Sequence, residues 1–232
     1  MSQSTDPITI TFASSKGGVG KSTTCAAIAG SLAARGFAVN VLDLDQNQTL
    51  FRWFSQHKPD IANLNVSAAT PDNFNAELEQ VRAGSPDVVL IDIAGAYEAT
   101  IIKAIAASSL VITPAKLSEP DLREAGRILS EVRAFNTRFG AGSQHRLLVT
   151  EADALDPLYQ RHSLKELEGS ALERFQTLVQ RRAPYREIFI TGLPPHFGDK
   201  RRPPIRKAID ELDALTDEIL ALTNLAEKVL AA

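Results

Sequence analysis

The sequence predicts an α/β fold: a mostly parallel central sheet with helices on both faces. Three observations predict it. Short apolar runs of strand length alternate along the 232 residues with helical stretches. Several runs, such as DVVLIDIAG (87–95), are apolar throughout, as strands covered on both faces must be. The first run leads through a glycine cluster into a helix, a β–loop–α unit with the phosphate-binding spacing.

The elements follow in order. ITITFA (8–13) is β-branched and ends on small residues, so it reads as a buried strand. After the glycine cluster, TTCAAIAGSLAARG has apolar residues at helical spacing and stops at Gly36. AVNVLDLD (38–45) is a strand ending in carboxylates, and TLFRWFSQ (49–56) a short helix with Trp53 and Phe54 facing the core. LNVSAA (64–69) is a strand; PDNFNAELEQVRAG (71–84) opens on proline and closes on glycine as a helix does. After the 87–95 strand come a helix (EATIIKAIAASS), a strand (LVITPA, 110–115) and the long amphipathic helix SEPDLREAGRILSEVRAFNTRF. RLLVTEAD (146–153) is expected as a strand, SLKELEGSALERFQTLVQRR as a helix and REIFIT (186–191) as a strand. Two helical patterns close the chain, around 204–212 and 212–230. Nothing divides it: no repeat, low-complexity segment or linker, so residues 1–232 are expected as a single domain.

An apolar fraction of 44% and a charged fraction of 23% are those of an ordinary globular protein. No apolar run reaches the ~20 residues needed to span a bilayer, and MSQSTDPITI has no secretory pattern. The one cysteine, Cys25, cannot form an internal disulfide and is expected to pack on the first helix, which suits a reducing cytosol. The four histidines lack metal-ligand spacing.

The chemistry sits in SSKGGVGKSTT (14–24). Gly17, Gly18 and Gly20 let the backbone curl so that N–H groups, including those of Val19 and Thr23, converge on an anion. The following helix adds the positive end of its dipole. Lys21 can reach the outer phosphates and the Ser22 hydroxyl can ligand Mg²⁺. The common pattern G-x-x-x-x-G-K-[ST] would have glycine at 15; this chain has Ser15 and adds Lys16.

KGGVGKST resembles the deviant Walker A loop of the ParA/MinD family of ATPases, and the likeness extends along most of the chain. The resemblance implies a P-loop fold, ATP and Mg²⁺ as ligands, and an ATP-bound homodimer in which Lys21 acts in cis and Lys16 reaches the partner's phosphates. It places Asp92 as the Walker B aspartate on the Mg²⁺ side and makes Asp45, aligned with the second aspartate of DxDPQGN, the residue that orients the attacking water. Here that switch reads DLDQNQT, with Gln46 for proline and Asn47 for glutamine. Asp43 and Asp45, two apart on one strand, share a face, and Asp43 takes a supporting or Mg²⁺-side role. IDIAGAYEA stands where the family has IDTPP, so a second switch is expected around Gly95. Within the family the chain looks most like VirC-type and plasmid-partition proteins, through DLDQNQTLFRW and ASSLVITPAKLSEPDLREA. A cytoplasmic, nucleoid- or plasmid-associated protein with an adaptor partner is then expected.

The net charge is −3, but Arg181, Arg182, Arg186, Lys200, Arg201, Arg202, Arg206 and Lys207 face only Glu187 and Asp199 across 181–207, a local +6. Such a segment suits salt-dependent, sequence-indifferent contact with DNA, or else pairs with the acidic helix at 209–218. Two other readings stay open. One is a nucleotide-dependent scaffold with little hydrolysis; the other is a membrane-positioning ATPase, although TDEILALTNLAEKVLAA carries mostly acid on its polar side.

Overall fold

The computed structural model describes residues 6–93 and 98–225. Among the described residues six strands form one sheet: β1 (Ile8–Ala13), β2 (Val39–Asp43), β3 (Leu64–Ala68), β4 (Val88–Ile93), β5 (Leu110–Ala115) and β6 (Gln144–Val149). Their order is β3-β2-β4-β1-β5-β6, and every pairing is parallel. β1, β4 and β5 are buried at every position, which is why their sequences are apolar without alternation. Parallel neighbours need a crossover each, and the intervening helices supply it. They are α1 (Lys21–Ala34), α2 (Thr49–His57), α3 (Phe74–Ala83), α4 (Glu98–Ala107) and α5 (Glu119–Phe139). Further on come α6 (Leu158–Glu168), α7 (Ala183–Thr191) and α8 (Pro203–Thr223).

One core lies between the sheet and α1, α2, α7 and α8; a second lies under α3, α4 and α5 on the other face. α1 is buried from Thr24 through Ala33 because it is sandwiched between the sheet and the C-terminal helices. Its small residues permit that closeness. A Cβ added at Gly30 would stand 2.3 Å from Pro194, so this helix position must be glycine. Pro194 and Pro195 thus pack on α1. Cys25 and Trp53 are core residues, as expected, Trp53 standing edge-on to Phe189 of α7.

Four expectations change. REIFIT (186–191) is helical, forming most of α7. Its β-branched residues suggested a strand, but Pro184 at the helix start and Gly192 at φ 80° after its end are helix boundaries, and Tyr185 and Ile188 are buried one turn apart. The helix expected over 163–182 stops at Glu168 and Gly169. Residues 173–175 exchange backbone hydrogen bonds with Leu147 on the open edge of β6, and after a bend the Val179 N–H donates to the Val149 carbonyl, so tertiary pairing overrides local propensity. The two terminal helical patterns are one helix, α8, whose apolar face (Ile205, Leu212, Leu215, Ile219) is spent on the core. Finally, β2 ends at Asp43, so Asp45 sits in the turn beyond the strand, not on its face. Gly95, in the expected second switch, and residues 226–232 lie outside the described residues.

Candidate nucleotide site

Because all six strands run the same way, the loops after β1, β2, β4, β5 and β6 meet at one end of the sheet. The β1–α1 loop holds Gly18 at φ 73° and Gly20 at φ 88°, left-handed conformations that turn its amides inward. Val19 is buried, and its carbonyl accepts the Thr150 hydroxyl at 2.8 Å. Thr24 closes the first turn of α1 by donating to the Gly20 carbonyl at 2.7 Å.

Lys21 folds over this loop, donating from Nζ to the Lys16 carbonyl at 2.9 Å. Burial lowers its pKa, while the charges of Asp92, Asp45 and Glu124 oppose that shift. Lys16 is different: its side chain is exposed and, among the described residues, has no partner. Its backbone is held, the N–H by Ser14 Oγ at 3.2 Å and the carbonyl by Lys21.

Asp92 is the penultimate residue of β4, close to Ser22 and Lys21 of the loop. It is fully buried, and neither carboxylate oxygen completes a hydrogen bond among the described residues. Burial pushes its pKa up to about 7, against the pull of the neighbouring Ser22 hydroxyl and Lys21 ammonium. A buried carboxylate with no cation bound to it costs on the order of several kcal/mol. A cation held between Asp92 and Ser22 would offset that cost, so the donor set, two hard oxygens beside a phosphate loop, fits Mg²⁺.

Asp43 is equally buried but satisfied. Its Oδ1 accepts from the Asp45 N–H at 2.9 Å, and its Oδ2 from the Leu50 and Phe51 N–H groups at 2.9 and 3.0 Å. It therefore caps the first turn of α2 and fixes the turn carrying Asp45. Burial raises its pKa, and those three backbone bonds oppose the rise. Asp45 itself is half-buried, with Oδ1 accepting from the Asn47 N–H at 2.8 Å. Lys21, Asp45, Asp92 and Ser22 thus converge at one end of the sheet, and Asp43 stands behind Asp45.

A small cavity of about 70 Å³ adjoins the loop, lined by Gly20, Thr23, Thr150, Arg181, Tyr185 and Arg186 among others. Two residues here carried no signal in the sequence: Thr150, which is legible only as the end of a strand, and Glu124 of α5, whose Oε1 accepts the Ser15 N–H at 3.1 Å.

The basic segment divides in two. Arg181 and Arg186, near the cavity, share Glu151 with Lys116 at 3.1–3.6 Å. Arg182 is tied to Glu211, which also accepts the Tyr185 hydroxyl, in a largely buried network. Arg201 pairs with Asp199 and Arg202 with Glu187. Arg206 donates only to the carbonyls of Lys200 and Arg201, and the side chains of Lys200 and Lys207 have no acidic partner among the described residues. The unneutralised charge is therefore at Lys200, Arg206 and Lys207.

A β–loop–α phosphate cradle with an aspartate at the end of the adjacent strand defines a P-loop nucleotide-binding protein. The chain belongs to the CobQ/CobB/MinD/ParA nucleotide-binding domain family, whose model matches residues 10–228. It is 24% identical to the protein ParA of Rhizobium radiobacter over 212 residues, 88% of this chain and 92% of that one. Its fold resembles that of a plasmid partition protein from Borrelia burgdorferi bound to AMPPNP: 18% identity, 91% of this chain and 99% of the other, TM-score 0.66. It also resembles the MinC:MinD cell division complex of Aquifex aeolicus at 16% identity, over 90% and 96% of the two chains, with TM-score 0.68. The family is one of nucleotide-binding domains, as the loop indicated. No described helix is long and apolar enough to cross a membrane.

Proposed function

We propose that this chain is an ATP-hydrolysing switch that closes on a second copy of itself and, when closed, holds DNA so as to position or segregate it. The observation that carries the reading is the contrast between its two loop lysines. Lys21 lies folded over the loop, where it serves the phosphates of its own site. Lys16, five residues earlier, has its backbone fixed and its ammonium exposed and unpaired, suited to a second subunit's triphosphate. Gly17, Gly18, Val19, Gly20, Lys21, Ser22 and Thr23 hold the nucleotide, and Asp92 with Ser22 holds Mg²⁺. The metal, when bound, neutralises charge on the phosphates and leaves Asp92 with a partner. Asp45 orients water for phosphoryl transfer, kept in place by Asp43. Gating by dimerisation makes turnover slow, a timer for the closed state.

DNA contact is assigned to Lys200, Arg206 and Lys207, with Arg181 and Arg186 as a second strip. Arg182, Arg201 and Arg202 from the same segment are engaged in ion pairs and contribute less. A partner protein that stimulates turnover is part of the reading, in keeping with the MinC-bound MinD of similar fold. Vesicle binding is not expected of α8, because its apolar face lies in the core. The test is DNA binding measured with ATP, ADP and no nucleotide over a range of salt. Binding that requires ATP and falls steeply with salt supports the reading; binding indifferent to nucleotide overturns it.

A further inference from the structure

Glu124 of α5 stands apart from the residues assigned above, yet it touches the loop that presents Lys16. Its Oε1 accepts the Ser15 N–H at 3.1 Å and the Arg127 Nη2 at 2.9 Å, while Oε2 accepts Arg127 Nε at 3.1 Å. The side chain is only 10% exposed. Burial pushes its pKa up, but the hydrogen bonds from Arg127 and Ser15 prevail and hold the carboxylate ionised. The two-point contact with Arg127 fixes the plane of the carboxylate, so the acceptor offered to Ser15 is rigid.

Ser15 occupies the position where the common phosphate loop has glycine, and it immediately precedes Lys16. Three contacts then hold the Lys16 backbone: Glu124 on the preceding amide, Ser14 Oγ on its own N–H, and Lys21 on its carbonyl. Two of these lie within the loop. Among the described residues, Glu124 alone ties this stretch to a helix on another part of the sheet. With the backbone so held, the Lys16 side chain springs from a fixed base and lies exposed to solvent.

We infer that Glu124 is a positioning residue that, braced by Arg127, aims Lys16 out of its own site toward a second subunit. The inference rests on the trans-acting role proposed for Lys16. It assigns no contact between Glu124 and nucleotide. The phosphate-binding amides of residues 17–23 do not depend on the anchor, so its loss is expected to spare ATP affinity and slow turnover. Misplacing a reacting group by about 1 Å costs up to ~100-fold, and a loss of roughly ten- to a hundredfold in kcat is the expected scale.

The experiment has two arms, both on the full chain. Amide hydrogen exchange reads the anchor itself: the Ser15 amide is expected to be protected in the parent, to lose protection in Glu124→Ala, and to keep much of it in Glu124→Gln, which retains an acceptor oxygen. Fast exchange at Ser15 in the parent overturns the inference whatever the ATPase does. The second arm is a double-mutant cycle of Glu124→Ala with Lys16→Ala, reading ATP affinity and kcat separately. Glu124→Ala is expected to lower kcat with ATP affinity kept, to be partly rescued by Glu124→Gln, and to have no further effect once Lys16 is absent. An equal loss in both backgrounds, or a loss of ATP affinity instead of kcat, overturns it. If Lys16→Ala alone leaves kcat intact, it is the trans-lysine reading that fails; protection at Ser15 would then show an anchor without that purpose, and the positioning claim falls with it.

Discussion

The P-loop end of the sheet and the basic segment at 181–207 both hold clustered charge, and the structure treats them in opposite ways. At the loop, Asp92 is buried with no partner among the described residues and Lys16 is exposed with none. In the basic segment, Arg182, Arg201 and Arg202 each meet a carboxylate, and Arg181 and Arg186 share one with Lys116. Charges that a fold neutralises internally hold the fold; charges it leaves unmatched at some cost await something from outside. Counting residues along the chain cannot separate the two, since pairing is a property of three dimensions.

The first way to break the comparison is to remove Lys21. Lys21→Ala should weaken ATP binding by the order of 100-fold or more, as read by calorimetry, because it removes the partly desolvated cation that the proposed function places on the phosphates. Lys16→Ala should bind ATP almost as the parent does and lose turnover on the scale of a cationic finger, about 10³-fold. Similar effects on binding from both lysines would erase the distinction between them.

A smaller effect sharpens the other region. Replacing Lys200, Arg206 and Lys207 together by alanine should lower the slope of log K against log salt by about 2.7, at ~0.9 per phosphate contact. Arg202→Ala, which removes a cation already paired with Glu187, should change that slope far less. Equal changes from free and paired cations would mean that pairing in the unliganded chain does not decide what touches DNA.

The smallest effect is in the pH dependence. The folded-state pKa of Asp92 is raised to about 7, so the unliganded fold binds this proton more tightly than the unfolded chain does. Its contribution is fully present below about pH 4, the unfolded pKa, and is lost as pH rises to about 7. Against an Asp92→Asn control, the parent should therefore lose relative stability over that window, as followed by urea denaturation without Mg²⁺. Added nucleotide and Mg²⁺ should restore it, and a flat difference would remove the case for Asp92 as an orphaned carboxylate.

How legible all this was depends on the region. Near the N-terminus, local chemistry and tertiary role agree: glycines that must turn between β1 and α1, and a first strand buried on both faces. Asp92 was visible because strand ends in a parallel sheet are where phosphate sites form. The C-terminal third was misread where long-range contacts decide. Residues 173–179 leave the helix because β6 has an open edge for their backbone to pair with, and REIFIT is helical because it packs against α1 and α8. Asp43 was open to a supporting or a Mg²⁺-side role, and its oxygens accept backbone N–H groups of its own turn and of a helix that begins six residues later, a pairing only the fold displays. Glu124 left no trace in the sequence, being one acid on a long amphipathic helix, and only the fold brings it to Ser15.

The most direct test of the central claim mixes two inactive chains. Lys16→Ala keeps the cis lysine and lacks the trans one; Lys21→Ala keeps the trans lysine and lacks the cis one. If each protomer completes its neighbour's site, ATPase activity absent from either variant alone reappears on mixing, because one composite site regains both lysines. If Lys16 serves its own loop, the mixture stays as inactive as its parts, and the account of a site shared between two copies is contradicted.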